Sequence, residues 1–149
     1  MKTRDFSTSF VVKKSPKEVF DAVNNVRGWW SEEIEGSTDK LGGEFDYHYD
    51  DVHRSSQKIV EFVPGKKVVW RVLDSRLNFV KDRKEWNGTD IVFEIAKKGD
   101  KTQLRFTHVG LVPDIECYGG CSEAWGFYIR DSLRGLITRG KGQPNHRWE

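Results

Sequence analysis

Residues 122–137, SEAWGFYIRDSLRGLI, decide the reading of this chain. At helical spacing Cys121, Trp125, Tyr128, Ser132 and Leu136 share one face. Ile129 and Leu133 widen that face on one side, Ala124 and Gly135 on the other, while Glu123, Arg130 and Arg134 point the opposite way. This is the pattern of an amphipathic helix with a wide apolar stripe over Ser122–Ile137. The stripe mixes large aromatics, Trp125 and Tyr128, with small residues, Ser132 and Gly135. A helix of this kind at the end of a run of strands predicts a sheet wrapped around it.

Working outward, the strands come before the helix. Phe6–Val12 alternates and reads as a first strand. Ser15-Pro16-Lys17-Glu18 is a helix start: Ser15 can cap, Pro16 suits the first helical position, and Glu18 can complete a capping box. Val19, Phe20, Val23 and Val26 bury that helix, and Gly28 stops it. The adjacent Trp29-Trp30 belongs in or beside a second short helix ending near Ile34, with one indole expected in the core and the other closing a cavity. After Leu41-Gly42-Gly43 a half-buried strand places Phe45, Tyr47 and Tyr49 on one face and Glu44, Asp46, His48 and Asp50 on the other. Gln57–Val63 and Lys67–Leu73 form a hairpin through Pro64-Gly65. Asp74–Gly88 is a long polar and basic connection, with a frayed strand expected at Leu77–Val80. Thr89–Ala96 and Thr102–Val109 pair through the five residues Lys97–Lys101. The order of strand, two short helices, five or six antiparallel strands and a long helix makes an α+β domain. It spans residues 1–149, with an ordered core over about 5–138 and a loose tail over 139–149.

Composition narrows the function. The 149 residues suit one domain, and 6 Trp, 9 Phe and 4 Tyr must line a large interior. A net charge of +2 gives no global attraction to nucleic acid or anionic membrane. The sequence holds no apolar run of membrane-spanning length and opens on Met-Lys-Thr-Arg-Asp-Phe, without an apolar signal segment. Cys117 and Cys121 fit a reducing compartment, so a cytoplasmic protein is expected. Their C-x3-C spacing lacks a second ligand pair for a metal. Nothing in the sequence calls for a cofactor.

Several stretches together resemble the START-like, helix-grip (SRPBCC) superfamily. They are Ser15-Pro16-Lys17-Glu18-Val19-Phe20, Trp29-Trp30, Gly42-Gly43-Glu44-Phe45, Val63-Pro64-Gly65-Lys66, Val69-Trp70, Thr107-His108-Val109-Gly110-Leu111, and Cys117-Tyr118 through Trp125. Within that superfamily the chain is similar to bacterial proteins related to the C-terminal domain of the activator of the heat-shock-protein-90 ATPase. The resemblance implies a curved antiparallel sheet gripping the long helix, with a cavity between them. Nothing in this sequence corresponds to that co-chaperone's separate N-terminal domain.

The expected cavity lining is Trp30, Tyr47, Tyr49, Trp70, Phe93, Phe106, His108, Trp125 and Tyr128. Tyr and Trp carry polar tips that need partners, and a pocket with a few placed polar groups supplies them. His108, in phase with Leu104 and Phe106, is expected to face the helix, where it is either satisfied internally or orients a ligand. Glu44, Asp46, His48 and Asp50, with Asp51 and His53 just beyond, read as a solvated strand face rather than a metal site. The first expectation is therefore non-catalytic binding of a small hydrophobic or aromatic, lipid-like molecule. The alternatives are a protein-interaction domain in stress or chaperone work, and a cyclase- or hydrolase-like enzyme using His108 as acid–base.

Overall fold

The computed structural model describes residues 5–49, 53–77, 81, 86–113, 115 and 118–144. Seven antiparallel strands form one sheet: β1 (Phe6–Val12), β2 (Glu35–Gly36), β3 (Glu44–Tyr49), β4 (His53–Val63), β5 (Lys67–Leu77), β6 (Asp90–Lys98) and β7 (Lys101–Val109). Their order across the sheet is β1-β7-β6-β5-β4-β3-β2, so only the step from β1 to β7 is non-sequential. Helix α1 (Pro16–Asn24) follows β1 with the expected capping box: Ser15 Oγ accepts from the Glu18 amide at 3.1 Å, and Glu18 Oε1 accepts from the Ser15 amide at 3.4 Å.

The structure corrects three expectations. The second short helix is a single 3-10 turn, Val26–Gly28, followed by turns to Ile34. Because the chain bends there, neither strand alternation nor helical phase separates the two indoles, and both Trp29 and Trp30 are buried. Trp29 Nε1–H donates to the Val23 carbonyl at 3.1 Å. The β4–β5 hairpin is longer than its apolar pattern suggests, with register shifts at Ser56/Gln57 and Ile59/Glu61. Its extension pairs Ser55 with Ser75 and His53 with Leu77, where polar residues sit on both faces and the period-2 signal fades. The β6–β7 turn is tighter than expected: Lys98 pairs with Lys101, leaving Gly99-Asp100 as the loop.

The C-terminal helix is built from α2 (Tyr118–Phe127), a π-helical stretch (Tyr128–Leu133) and α3 (Arg134–Arg139). Cys121, Trp125, Ile129, Leu133 and Ile137 recur every four residues and are buried along its length. In a pure α-helix that spacing drifts by about 40° per step. The π stretch, with its wider i→i+5 turn, resets the phase and keeps the stripe on the sheet. The buried face is thereby rotated from the expected one. Ala124 is exposed, and Tyr128 and Leu136 are only half-buried.

Ser132, on the buried side of the π stretch, donates to the Trp29 carbonyl at 2.7 Å and accepts from the Gln143 amide at 2.7 Å. The segment after the helix is thus tied back onto the chain as far as Gln143. Gly142 packs on the Gly28 carbonyl, where a Cβ would collide with backbone. Ser132→Ala removes one buried donor and one acceptor together. It is expected to cost about 2 kcal/mol, a fall in Tm of roughly 4–8 °C. Thr138→Ala, whose hydroxyl bonds the Arg134 carbonyl on the exposed side, should change stability by less than about 0.5 kcal/mol. Thermal melts followed by circular dichroism check both.

Candidate functional site

Alternation along each strand sends one set of side chains toward the helix. Phe10, Phe45, Ile59, Val68, Val72, Ile91, Ile95 and Leu104 form the apolar part of that inner face. Toward one end the same face turns polar, with Ser55 and Gln57 on β4, Ser75 on β5 and His108 on β7, all buried. The two halves of the interior have different chemistry.

Most of the expected lining residues meet in the apolar half, and they meet each other. The Trp30 ring stacks on Tyr47 at 4.0 Å and packs on Trp125 at 4.9 Å and Trp70 at 5.7 Å. Phe93 lies 4.8 Å from Trp70 and 5.3 Å from Phe106, and Phe106 lies 4.7 Å from Trp125. Face and edge contacts at these separations are favourable aromatic geometry and bring the rings into a continuous cluster. Tyr128 is left on the flank of the helix, with Phe127 at 5.4 Å. Tyr49 ends β3, and its side chain lies outside the described ones, as does Cys117. Among the described residues no three His, Cys, Asp or Glu side chains gather as a metal site.

His108 faces the helix, as its phase required. Trp125 Nε1–H donates to His108 Nδ1 at 3.1 Å. Nε2 lies 2.8 Å from Thr89 Oγ1, and that hydroxyl donates to the Trp86 carbonyl at 2.6 Å. With Nδ1 accepting and the Thr89 proton committed to a carbonyl, the network assigns the His108 proton to Nε2. Both ring nitrogens are then occupied, and the imidazole is neutral. Burial pushes its pKa from 6.5 down to about 3, helped by the neighbouring His53.

Two residues that sequence reasoning left out complete the polar end. Trp86, from the long β5–β6 connection, is buried against His108 at 4.7 Å and against His53 at 4.4 Å, near-perpendicular to both rings, and is stacked on Trp125 at 5.8 Å. His53, expected on the solvated face, turns inward at the start of β4, with Tyr47 at 5.0 Å. The residue keeps some exposed surface, but its Nε2 is enclosed. Burial of the ring pushes its pKa down to about 3. The signal was available: His53, Ser55, Gln57 and Ile59 share one face by period 2.

This end of the interior also carries polar atoms without partners. His53 Nε2, Trp86 Nε1 and Gln57 Oε1 are buried and unbonded, as is Trp70 Nε1 in the aromatic cluster. Gln57 binds Ser55 Oγ through its other amide atom, so one of its two polar atoms is left over whichever way the amide is turned. Buried polar groups are normally paired, and an unmade bond costs roughly 1–3 kcal/mol. No charged side chain belongs to the buried polar set among the described residues, which is Asn, Ser, Thr, Gln and His.

An antiparallel sheet closed on a long C-terminal helix, with an aromatic interior, defines the helix-grip class. The family model described as activator of Hsp90 ATPase homolog 1-like protein matches residues 13–138, and the chain belongs to that family. Its fold is similar to the Aha1 dimer from Colwellia psychrerythraea, 22% identical over 93% of this chain and 99% of that one, with a TM-score of 0.74. It is also similar to MLL2253 from Mesorhizobium loti, 17% identical over 89% and 97%, TM-score 0.69, and to SSP2350 from Staphylococcus saprophyticus, 15% identical over 96% and 98%, TM-score 0.66. No curated protein matches the sequence. Among the described residues no helix is long and apolar enough to cross a membrane.

The two histidines set a pH dependence. Each is neutral when folded, with a pKa near 3, against 6.5 when unfolded. Below about pH 6.5 the unfolded chain binds more protons, so stability is complete above that value and is lost as the pH falls toward 3. Each histidine removes about 1.4 kcal/mol per pH unit within that window. Urea unfolding between pH 7.5 and 5 should show this slope, and His53→Gln should make it clearly shallower. A flat profile over that range would contradict the buried, neutral assignment.

Proposed function

We propose that this domain binds a small hydrophobic or aromatic molecule, without catalysis, between the C-terminal helix and the sheet. The observation that carries the reading is the group of enclosed, unpartnered polar atoms, His53 Nε2, Trp86 Nε1, Trp70 Nε1 and Gln57 Oε1, set within an aromatic shell. Ligand sites have this makeup, with apolar walls and a few polar atoms that orient the guest. A cavity between helix and sheet is also what the helix-grip resemblance implies. The polar end around His53 and Trp86 is favoured over the middle of the cluster, where Trp30, Tyr47, Trp70, Phe93, Phe106 and Trp125 pack on one another. Covering about 200 Å² of apolar ligand surface would contribute roughly 5 kcal/mol before the cost of association. A cyclase- or hydrolase-like role through His108 finds no support, because both of its nitrogens are engaged. The free, buried Cys121 is consistent with a cytoplasmic setting.

A protein-interaction role has its own observation. Phe127, 40% exposed, sits beside Arg130 and Arg134 at a hollow of about 600 Å³ on the outer side of the C-terminal helix. The two readings separate experimentally. Native mass spectrometry of gently purified protein, followed by titration of the Trp fluorescence with sterols, fatty acids and aromatic compounds, should show a co-purifying mass or a saturable change. In Gln57→Leu the response should weaken about threefold or more while the fold persists. A clean apo mass with no saturable response to any class would sink the pocket reading and leave the outer hollow as the better candidate.

A further inference from the structure

We infer that the polar end of the interior receives an uncharged oxygen group of the ligand, a hydroxyl above all, held by the Trp86 indole N–H and by His53 Nε2, and that it rejects a carboxylate. The inference rests on the ligand-binding reading and names the chemistry it selects.

Trp86 Nε1 is a donor only, and its proton has no acceptor. His53 Nε2, in a ring whose centroid lies 4.4 Å from that of Trp86 and perpendicular to it, is enclosed and has no partner either. A neutral imidazole offers a donor or an acceptor at Nε2 according to its tautomer. A hydroxyl answers both tautomers. Its oxygen accepts from the indole and its proton is given to Nε2, or its oxygen accepts from both when Nε2 carries the proton.

Among the described residues the buried polar ones are Asn24, Ser31, Thr38, Ser55, Gln57, Ser75, Thr102, His108 and Ser132, none of them cationic. His108 has its single proton committed to Thr89, and both histidines stay neutral through the physiological range. The nearest charged side chains on these strands, Arg54, Asp74 and Arg76, alternate to the outer face. An ionised carboxylate entering here would lose its hydration and meet no buried counter-ion among the described residues. Indole donors alone do not offset that loss. Fatty acids in their ionised form are therefore excluded, although the apolar walls suit their chains.

Trp86 is stacked on Trp125 at 5.8 Å, and Tyr47 packs on His53 at 5.0 Å, so aromatic faces flank the two polar atoms. A flat ring bearing the hydroxyl fits that surround better than a branched aliphatic one.

The test uses three probes of one skeleton: phenol, benzoate and toluene. The full-length protein is labelled with 15N at its tryptophan indoles, and the Trp86 resonance is assigned by its loss in Trp86→Phe. Phenol should shift the Trp86 indole signal saturably at pH 7.5, and bind about five- to tenfold tighter than toluene, the value of one buried hydrogen bond. Benzoate should bind at least tenfold more weakly than phenol. In Trp86→Phe, or in His53→Phe if the first variant does not fold, phenol should lose its advantage while toluene is unchanged. Benzoate binding as tightly as phenol, or toluene matching phenol in the wild-type protein, overturns the selection of a neutral oxygen but leaves ligand binding standing. If none of the three moves any indole signal, this inference falls, and the ligand reading falls with it only if the sterol and fatty-acid titrations are also flat.

Discussion

The hydrogen bond from the Trp125 indole to His108 Nδ1 joins the long helix to the sheet, and much of the interior is arranged by it. Nδ1 must accept, so the imidazole proton is sent to Nε2 and on to Thr89, whose hydroxyl in turn holds the carbonyl of Trp86. Helix, β7 and the connection before β6 are tied by this one chain of bonds. The link from Trp125 is buried and the two through Thr89 are part-buried, an environment in which a hydrogen bond is stronger than in water and its absence costly. The same bond aims the Trp125 ring at Trp30 and Phe106 on one side and at Trp86 on the other. A protonated His108 could not accept from the indole, so the arrangement and the neutral imidazole support each other.

Around this chain the interior divides by chemistry. In one half, aromatic rings fill space against each other, and the result is a stiff wall. In the other, β4 and β5 continue past their apolar portions with Ser55, Gln57, Ser75 and His53 turned inward. A protein selected for stability alone has little use for enclosed polar atoms that bond to nothing, since apolar residues of the same shape would serve the core better. Their presence beside Trp86 marks the region where local consistency was given up, and such places are commonly functional.

The C-terminal helix shows how packing overrides local periodicity. Its buried residues recur every four positions from Cys121 to Ile137, a spacing that an α-helix cannot keep on one side. The π stretch absorbs the mismatch and turns Ser132 inward, where it holds both Trp29 and Gln143. A wide helical turn is weak by itself. Here the contacts on both sides of it compensate.

The sequence by itself determined the α+β class, the strand faces, the capping box at Ser15–Glu18 and the inward phase of His108, because period 2, period 3.6 and cap chemistry are local signals. It also placed Trp30, Tyr47, Trp70, Phe93, Phe106 and Trp125 inside. It did not reveal that these rings would satisfy one another's packing, since contact between residues far apart in the chain is set by register and curvature. That Tyr128 packs only half-buried against the edge of the core was not legible, because a π turn leaves no clear mark in a sequence read at α spacing. Trp29 escaped because a bend of the backbone lets adjacent indoles share one core. Trp86 was decided only by the tertiary structure, since it lies in a connection with no period. The inner phase of His53 was legible by period 2, but its strand is polar on both faces there, so only the closure of helix on sheet shows that its ring is enclosed.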